Sequence, residues 1–259
     1  MLRSIVYAVA FYVTTALFLV VGSPLLVAPR RWAMMALKAH ALTSLWLLEQ
    51  ICGTRVEVRG RDKLPAGAYL IVAKHQSAWD TFALIPLFRD PAIVLKDELK
   101  WIPLYGWFCV KFAHILVRRD KAATALKTML ADARDRAAAG REILIFPEGT
   151  RRAPGAEPDY KPGYVALYDG LGLPCVPLAL NSGVFWPRRS LLRRPGTIVV
   201  EFLDPIPPGL PRKEFRAVLE QRLEQASDRL LREAAHAVPA HALGPEAQQR
   251  LAMLNAGET

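Results

Sequence analysis

A histidine and an aspartate five positions apart, His75 and Asp80, follow a short apolar stretch of the chain. That stretch, residues 68–73 (AYLIVA), predicts a buried strand because it is an uninterrupted apolar run of strand length. A histidine can accept a proton near neutral pH, and a carboxylate on its second ring nitrogen would orient the ring and stabilise the imidazolium. The pair therefore predicts a general base and its orienting carboxylate at a turn between a strand and a helix.

The same residues also have a purely structural interpretation. Ser77 followed by Asp80 resembles a capping box, with Ser77 as the N-cap and Asp80 in the first helical turn. Capping explains Ser77 and Asp80 but not Lys74 and His75 at the end of the strand. Taken alone, the spacing leaves both interpretations open.

A second chemical stretch, residues 146–152 (FPEGTRR), follows another apolar strand at 143–146. Gly149 would let the backbone approach a ligand closely, Thr150 offers a hydroxyl, and Arg151 offers a bidentate fork that suits a phosphate. The structural alternative is an ordinary turn with exposed charges.

Two further arginines, Arg118 and Arg119, follow the predicted strand at 114–117. They could bind an anion or simply form a solvated edge of the fold. The three stretches share one property, since each lies just beyond the carboxyl end of a predicted strand. Open α/β sheets bind ligands along that edge, so we expect the three to converge on one site.

Strand-like and helix-like segments alternate from residue 55 onward, which predicts a mixed, largely parallel α/β sheet flanked by helices. The predicted strands are 55–59, 68–74, 92–96, 114–117, 142–146, 174–180 and 197–202. The predicted helices are 79–88, a broken helix at 98–112, 120–139, 164–171 and 212–235.

The N-terminal part of the chain predicts a membrane-embedded helical segment. Residues 5–28 carry no charge, and Gly22 and Pro24 interrupt the apolar run, so either a transmembrane helix or a re-entrant helix fits. A cleaved signal peptide fits less well, because the apolar character continues past any cleavage site. Residues 32–51 predict a second helix that lies at the membrane interface or packs on the first segment. Arg30 and Arg31 favour a cytoplasmic location for the chain on their C-terminal side.

These patterns divide the chain into an N-terminal membrane anchor at 1–52, a catalytic domain at 53–236 and a C-terminal tail at 237–259. The formal net charge is +10 and 52% of the residues are hydrophobic, which favours an anionic membrane surface or phosphorylated substrates as partners. No separate basic and aromatic run points to nucleic acid. The three cysteines lack CxxC spacing and are expected to be buried thiols.

Taken together, the motifs resemble those of the lysophosphatidic-acid acyltransferase family. Three segments match family motifs in order and spacing: 75–80 (HQSAWD), 146–151 (FPEGTR) and 176–183 (VPLALNSG). Three more resemble the remaining family blocks: 96–106 (KDELKWIPLYG), 117–119 (VRR) and 160–163 (YKPG). The resemblance covers about residues 55–203.

The resemblance implies the glycerolipid acyltransferase fold and a 1-acyl-sn-glycerol-3-phosphate O-acyltransferase of phospholipid biosynthesis. Such an enzyme moves a fatty acyl group from acyl-CoA or acyl carrier protein to the sn-2 hydroxyl of lysophosphatidic acid, and phosphatidic acid is formed. His75 would be the general base and Asp80 would orient it. The substrate phosphate would be bound by Arg119, Glu148, Gly149, Thr150 and Arg151, with Glu148 either orienting the glycerol or bracing the arginines.

The remaining expectations come from the same resemblance. No cofactor and no metal are expected, the partners are membrane lipids, lysophosphatidic acid and the thioester donor, and the location is the inner membrane with the catalytic domain facing the cytoplasm. An acceptor that is another lysophospholipid or a lyso-aminolipid remains open. So do two other classes, a non-catalytic membrane-binding adaptor and a metal-dependent hydrolase that would use His75, Asp80 and His114.

Overall fold

A computed structural model describes residues 1–118 and 122–256 and is built around a seven-stranded sheet. The strands are β1 (Thr54–Arg59), β2 (Leu70–Ala73), β3 (Ala92–Lys96), β4 (Ile115–Val117), β5 (Ile143–Ile145), β6 (Cys175–Leu180) and β7 (Gly196–Phe202). Their order across the sheet is β1-β7-β6-β2-β5-β3-β4. Every paired strand is parallel to its neighbour except β6 and β7, which are antiparallel. The predicted mixed, largely parallel α/β sheet is confirmed.

Helices cover both faces of this sheet. They are α1 (Leu2–Val21), α2 (Arg30–Cys52), α3 (Asp80–Ala83), α4 (Tyr105–Lys111), α5 (Ala122–Ala138), α6 (Gly163–Leu171), α7 (Ser182–Phe185), α8 (Arg212–Ala237) and α9 (Pro245–Ala256). The predicted helix at 79–88 is shorter than expected, because α3 gives way to a 3₁₀ turn at Ile85–Leu87 that contains a proline. The expected break in 98–112 is present, where a 3₁₀ turn at Asp97–Trp101 precedes α4 and Leu104 has a φ of 59°.

The central strand β2 shows why its sequence is apolar throughout. Leu70 and Val72 belong to one hydrophobic cluster, whereas Ile71 and Ala73 belong to another on the opposite face. Successive side chains of a strand point to opposite faces, so a strand that is covered on both sides must be apolar at every position. The strand's carboxyl end is consequently fixed from both faces, and His75 lies two residues beyond it.

Helices α1 and α2 form an antiparallel hairpin. The Tyr7 hydroxyl donates to the Ser44 carbonyl at 3.3 Å, and the Phe18 ring stacks on His40 with a centroid separation of 5.2 Å. The hairpin lies lengthwise against the rest of the protein, because Tyr7 contacts Trp186 at 5.5 Å between centroids and Phe18 contacts Phe108 at 5.3 Å. Among the described residues, α1 alone is long and apolar enough to cross a membrane, by length and composition only.

The outward face of this hairpin is strongly apolar. The large apolar side chains of α1 and α2 that are at least 45% exposed are Leu2, Ile5, Val6, Val9, Tyr12, Val13, Leu17, Val20, Val21, Trp32, Met35, Leu42 and Trp46. A continuous exposed apolar surface of this kind marks an interaction with a membrane or a partner. We call this set the hairpin surface.

Candidate active site

The candidate site lies where three neighbouring central strands end. Strands β6, β2 and β5 are adjacent and parallel, so their carboxyl ends meet at one edge of the sheet. Ser182 lies just beyond β6, His75 just beyond β2, and Glu148 just beyond β5. The convergence that the sequence predicted for the HQSAWD and FPEGTR segments is therefore present.

His75 and Asp80 are in direct contact. The His75 Nδ1 lies 3.0 Å from the Asp80 Oδ2, so the contact fixes Nδ1 as the protonated nitrogen and leaves Nε2 as the nitrogen that can take a proton. The imidazole stacks on the Phe146 ring with a centroid separation of 4.2 Å and an angle of 23°. His75 is only 9% exposed, so little of it contacts water.

Asp80 is fully buried and each of its oxygens accepts hydrogen bonds. Oδ2 accepts the backbone N–H groups of Gln76 at 2.7 Å and Ser77 at 2.8 Å, in addition to its contact with His75. Oδ1 accepts the Ser182 hydroxyl at 2.5 Å. A carboxylate can remain charged inside a protein when hydrogen-bond donors replace its water shell.

The Asp80 carboxylate makes contacts that belong to both interpretations, the structural one and the chemical one. Asp80 reaches back to the Ser77 N–H as in a capping box, while the Ser77 hydroxyl accepts the Trp79 N–H at 3.2 Å. Helix α3 begins at Asp80 with Trp79 as its N-cap, so the prediction of Ser77 as the N-cap is wrong, but the turn ahead of the helix holds the carboxylate against His75.

Glu148 lies behind His75 with both of its oxygens bonded to this chain. Oε2 accepts the His75 N–H at 3.2 Å, and Oε1 accepts the Lys74 ammonium at 2.7 Å. Glu148 is 1% exposed, and its negative charge would repel a phosphate. Its assignment to the phosphate-binding set stays a prediction, and its observed contacts serve to position the end of β2.

The other phosphate-binding candidates face outward. Gly149 has a φ of 63°, the left-handed region that glycine adopts most easily, and Thr150 and Arg151 are at least partly exposed. The Arg152 N–H donates to the His75 carbonyl at 2.8 Å and ties this turn to β2. Arg119 lies outside the described residues, and its role, like those of Gly149, Thr150 and Arg151, stays a prediction.

His114 belongs to a different part of the molecule. It lies just before β4, where its Nδ1 accepts the Ile93 N–H at 3.2 Å, whereas His75 lies beyond the carboxyl end of the central strand β2. Burial, reinforced by the charge of Arg141, lowers the pKa of His114 to about 3. The metal-hydrolase hypothesis loses its third ligand, and no group of three His, Cys, Asp or Glu side chains within residues 1–118 and 122–256 could hold a metal ion.

Sequence reasoning missed three residues that contact the site. Ser182 binds Asp80, Lys74 binds Glu148, and the Gln76 side-chain oxygen accepts the Gly183 N–H at 3.1 Å. A Cβ on Gly183 would lie 2.9 Å from the Gln76 Cβ, so only glycine permits this approach. The VPLALNSG segment could have indicated Ser182, because it belongs to a strand that ends at the same edge of the sheet.

Comparison with known proteins gives a consistent result. Residues 55–181 match the family model described as Acyltransferase. A 1-acyl-sn-glycerol-3-phosphate acyltransferase from Pseudomonas aeruginosa is 38% identical over 157 residues, which are 61% of this chain and 61% of the relative. The human 1-acyl-sn-glycerol-3-phosphate acyltransferase alpha is 28% identical over 204 residues, which are 78% of this chain and 72% of the relative.

The fold also has a solved counterpart. The crystal structure of a 1-acyl-sn-glycerophosphate acyltransferase from Thermotoga maritima superposes with a TM-score of 0.72 at 19% identity, covering 88% of this chain and 97% of that one. At this identity the likeness concerns the fold alone. The chain spans less than two thirds of the Pseudomonas relative's length, 61% of it.

Proposed function

We propose that this chain, whose residues 55–181 belong to the acyltransferase family, transfers a fatty acyl group from a thioester to the sn-2 hydroxyl of 1-acyl-sn-glycerol-3-phosphate. The product is phosphatidic acid. The observation that carries the proposal is the buried His75–Asp80 pair, whose Nε2 is available at the sheet edge that also presents Thr150 and Arg151. The names of the Pseudomonas and human relatives support the same acceptor.

The chemistry consists of one proton transfer and one bond exchange. His75 Nε2 takes the proton of the acceptor hydroxyl, and the oxygen attacks the thioester carbonyl carbon to form the new C–O bond. Collapse of the tetrahedral intermediate breaks the C–S bond, and the thiolate leaves and accepts the proton from His75. Asp80 keeps the imidazole oriented and stabilises its protonated form between these steps. Coenzyme A and acyl carrier protein both supply such a thioester.

No covalent acyl-enzyme is required in this scheme. Ser77 is fully buried and its hydroxyl accepts a backbone hydrogen bond, so it does not face a substrate. Burial raises the pKa values of Cys52, Cys109 and Cys175, so all three remain neutral thiols and poor nucleophiles. Direct attack by the acceptor hydroxyl is the simpler route.

Arg151, Thr150, Gly149 and Arg119 bind the acceptor phosphate in this proposal. The guanidinium of Arg151 and the hydroxyl of Thr150 suit a phosphate, Gly149 permits close approach of the backbone, and the exposure of Thr150 and Arg151 lets a ligand reach them.

The hairpin surface anchors the protein to the cytoplasmic face of the inner membrane in this proposal. Helix α1 is bound to the rest of the protein near both ends, since the Ser4 hydroxyl accepts the Arg193 N–H at 2.9 Å and Phe18 contacts Phe108. Because α1 packs along the domain at both of these points, we favour a re-entrant anchor in one leaflet over a single span. Lipid acceptor and lipid product would then remain in the membrane.

An acceptor screen tests the function. Purified full-length protein is incubated with acyl-CoA or acyl carrier protein and, separately, with lysophosphatidic acid, other lysophospholipids or a lyso-aminolipid, and the products are measured by mass spectrometry. We expect phosphatidic acid from lysophosphatidic acid, and none from the His75→Ala variant. Transfer to another acceptor alone would reassign the substrate. Vesicle binding without turnover on any acceptor would favour the adaptor hypothesis.

A further inference from the structure

Lys74, the residue before the proposed base, is a buried lysine. Its side chain is 5% exposed. Lysine is rarely buried unless its charge is paired, because an ammonium group loses much hydration free energy inside a protein. The groups that pair with its charge therefore indicate the role of Lys74.

The Lys74 ammonium joins three elements of the fold. It lies 2.7 Å from Glu148 Oε1 beyond β5 and 2.9 Å from Glu224 Oε1 on helix α8. It is also 3.4 Å from the Tyr160 hydroxyl and 5.1 Å from the centroid of the Tyr160 ring. The Tyr160 hydroxyl in turn donates to Glu224 Oε1.

The other end of this bridge reaches the proposed base. Glu148 uses its second oxygen to accept the His75 N–H at 3.2 Å. An unbroken chain of contacts thus runs from Glu224 on α8 through Lys74 and Glu148 to the backbone of His75. We propose that Lys74 is a positioning residue that fixes His75 relative to helix α8, an inference that rests on the proposed function.

Stability alone does not explain this arrangement. A buried ion pair often contributes no more stability than well-packed apolar residues of similar volume, because burying two charges costs nearly as much as their attraction returns. Positioning does explain it, because charged hydrogen bonds are short and directional, and a base displaced by about 1 Å can lose a hundredfold in rate.

Helix α8 offers a matched control one turn before Glu224. Glu220 accepts the Tyr164 hydroxyl at 2.8 Å, as Glu224 accepts that of Tyr160, and Glu220 also pairs with Arg216 on the helix surface. The side chains of Glu220 and Glu224 are 30% and 22% exposed. Both glutamates thus tether α8 to a tyrosine, but the bridge to His75 runs through Glu224.

The test compares Glu224→Gln with Glu220→Gln in the full-length protein. Each change keeps the side-chain shape and an oxygen acceptor and removes one charge. We expect Glu224→Gln to lower kcat about tenfold with both KM values within about twofold, and Glu220→Gln to leave kcat within about twofold. We also expect faster amide hydrogen exchange at His75 in Glu224→Gln only. Lys74→Met should produce both effects to a larger extent, and Glu224→Gln still tests the proposal if Lys74→Met does not fold.

Equal kcat and equal exchange in the two glutamine variants would overturn the positioning role. Amide hydrogen exchange at His75 reports on the bridge from Glu224 through Lys74 without any turnover. It therefore tests the positioning role independently of the reaction. Absence of turnover by the wild-type protein would instead count against the proposed function.

Discussion

Ser182 donates a 2.5 Å hydrogen bond to Oδ1 of Asp80, while Oδ2 of the same carboxylate contacts His75. Ser182 and Asp80 are 102 positions apart and meet because β6 and β2 are neighbours. The carboxylate is thus held from both sides, by the turn that begins α3 and by the first residue of α7. Its orientation toward His75 depends on both contacts.

Ser182→Ala should lower kcat about tenfold with little change in either KM. The change leaves one oxygen of a buried carboxylate without its donor, and hydrogen bonds to charged groups are worth about 1.5–3 kcal/mol. Steady-state kinetics check this, with Ser227→Ala as the control because the Ser227 hydroxyl donates to the Leu223 carbonyl on α8. A Ser182→Ala kcat close to that of wild type would show that Asp80 does not need this contact.

His75→Ala should lower kcat by roughly 10²–10⁴-fold, because the variant has no group to take the acceptor proton. Circular dichroism should show a folded protein, and exposed His241 supplies the control variant, His241→Ala. Asp80→Asn should also be inactive, but it places an amide against the N–H groups of Gln76 and Ser77 and should reduce stability too. Near-normal activity of a folded His75→Ala variant would refute the mechanism.

Arg151→Ala should raise KM for lysophosphatidic acid by roughly tenfold or more and leave KM for the thioester donor unchanged. The change removes a charge-assisted contact to one substrate, worth about 1.5–3 kcal/mol. Arg212→Ala is the control, since Arg212 is an exposed arginine at the start of α8 that pairs with Asp169. Equal increases for both substrates would reassign Arg151, and the same experiment applies to Arg119.

Val13→Asp should weaken binding to liposomes that contain anionic phospholipid by about tenfold or more. Val13 is 51% exposed on the hairpin surface, and a carboxylate there would have to be desolvated at the membrane. Met253→Asp is matched, because Met253 on α9 is also 51% exposed and lies outside the hairpin surface. Co-sedimentation measures both variants, and equal binding by the two would count against the anchoring role.

The free energy of unfolding should fall as the pH is lowered below neutral, partly because of His114. Its folded-state pKa is lowered from 6.5 to about 3, so the unfolded chain takes up a proton in this range that the folded chain does not. The free energy of unfolding therefore falls as the pH drops through this range, by up to about 1.4 kcal/mol per pH unit.

His114→Asn keeps an acceptor for the Ile93 N–H and removes this titration. Between about pH 7 and 5 the variant should lose about 2 kcal/mol less stability than wild type in denaturant unfolding. His236→Asn is the control, because His236 lies near the end of α8, away from the Ile93 N–H. Equal losses of unfolding free energy in the wild type and the His114→Asn variant would show that His114 does not cause this pH dependence.

The sequence predicted those features that depend on residues close together in the chain. Alternation and apolar runs predicted all seven strands, and the five-residue spacing from His75 to Asp80 predicted their contact because only one turn separates them. The shared sheet edge could be inferred from the predicted parallel strands. That edge could also have indicated Ser182, but the partner supplied by Glu224 could not be predicted in this way, because no short-range pattern shows which distant helix meets the end of β2.

Two basic residues illustrate the same limit. The sequence suggests that Arg30 is a topology determinant at the membrane, yet its guanidinium forms two 2.6 Å hydrogen bonds with the Asp90 carboxylate. Lys38 donates to the carbonyls of Phe88 and Arg89 at 2.7 Å. Both therefore fasten α2 to the rest of the protein. Charge counts along a sequence do not distinguish a free cation from a paired one.

The C-terminal segment has a role that composition did not suggest. Helix α9 lies within the predicted tail, and Arg250 forms a bidentate pair with Asp228 on α8 at 2.8 and 2.6 Å. A Cβ on Gly155 would lie 2.8 Å from the Arg250 Cβ, so α9 packs directly on the segment after FPEGTRR.

The bridge from Lys74 to Glu224 has a consequence for the order of biosynthesis. The two residues are 150 positions apart, so a ribosome that adds roughly 5–20 residues per second needs about 8–30 s to proceed from one to the other. During that interval α1, α2 and the His75–Asp80 turn have been made, while the helix that completes the bridge has not. If the proposed function and the positioning role are correct, the nascent chain can reach the bilayer before its base is fixed, and acyl transfer at the full rate has to wait until α8 has been made.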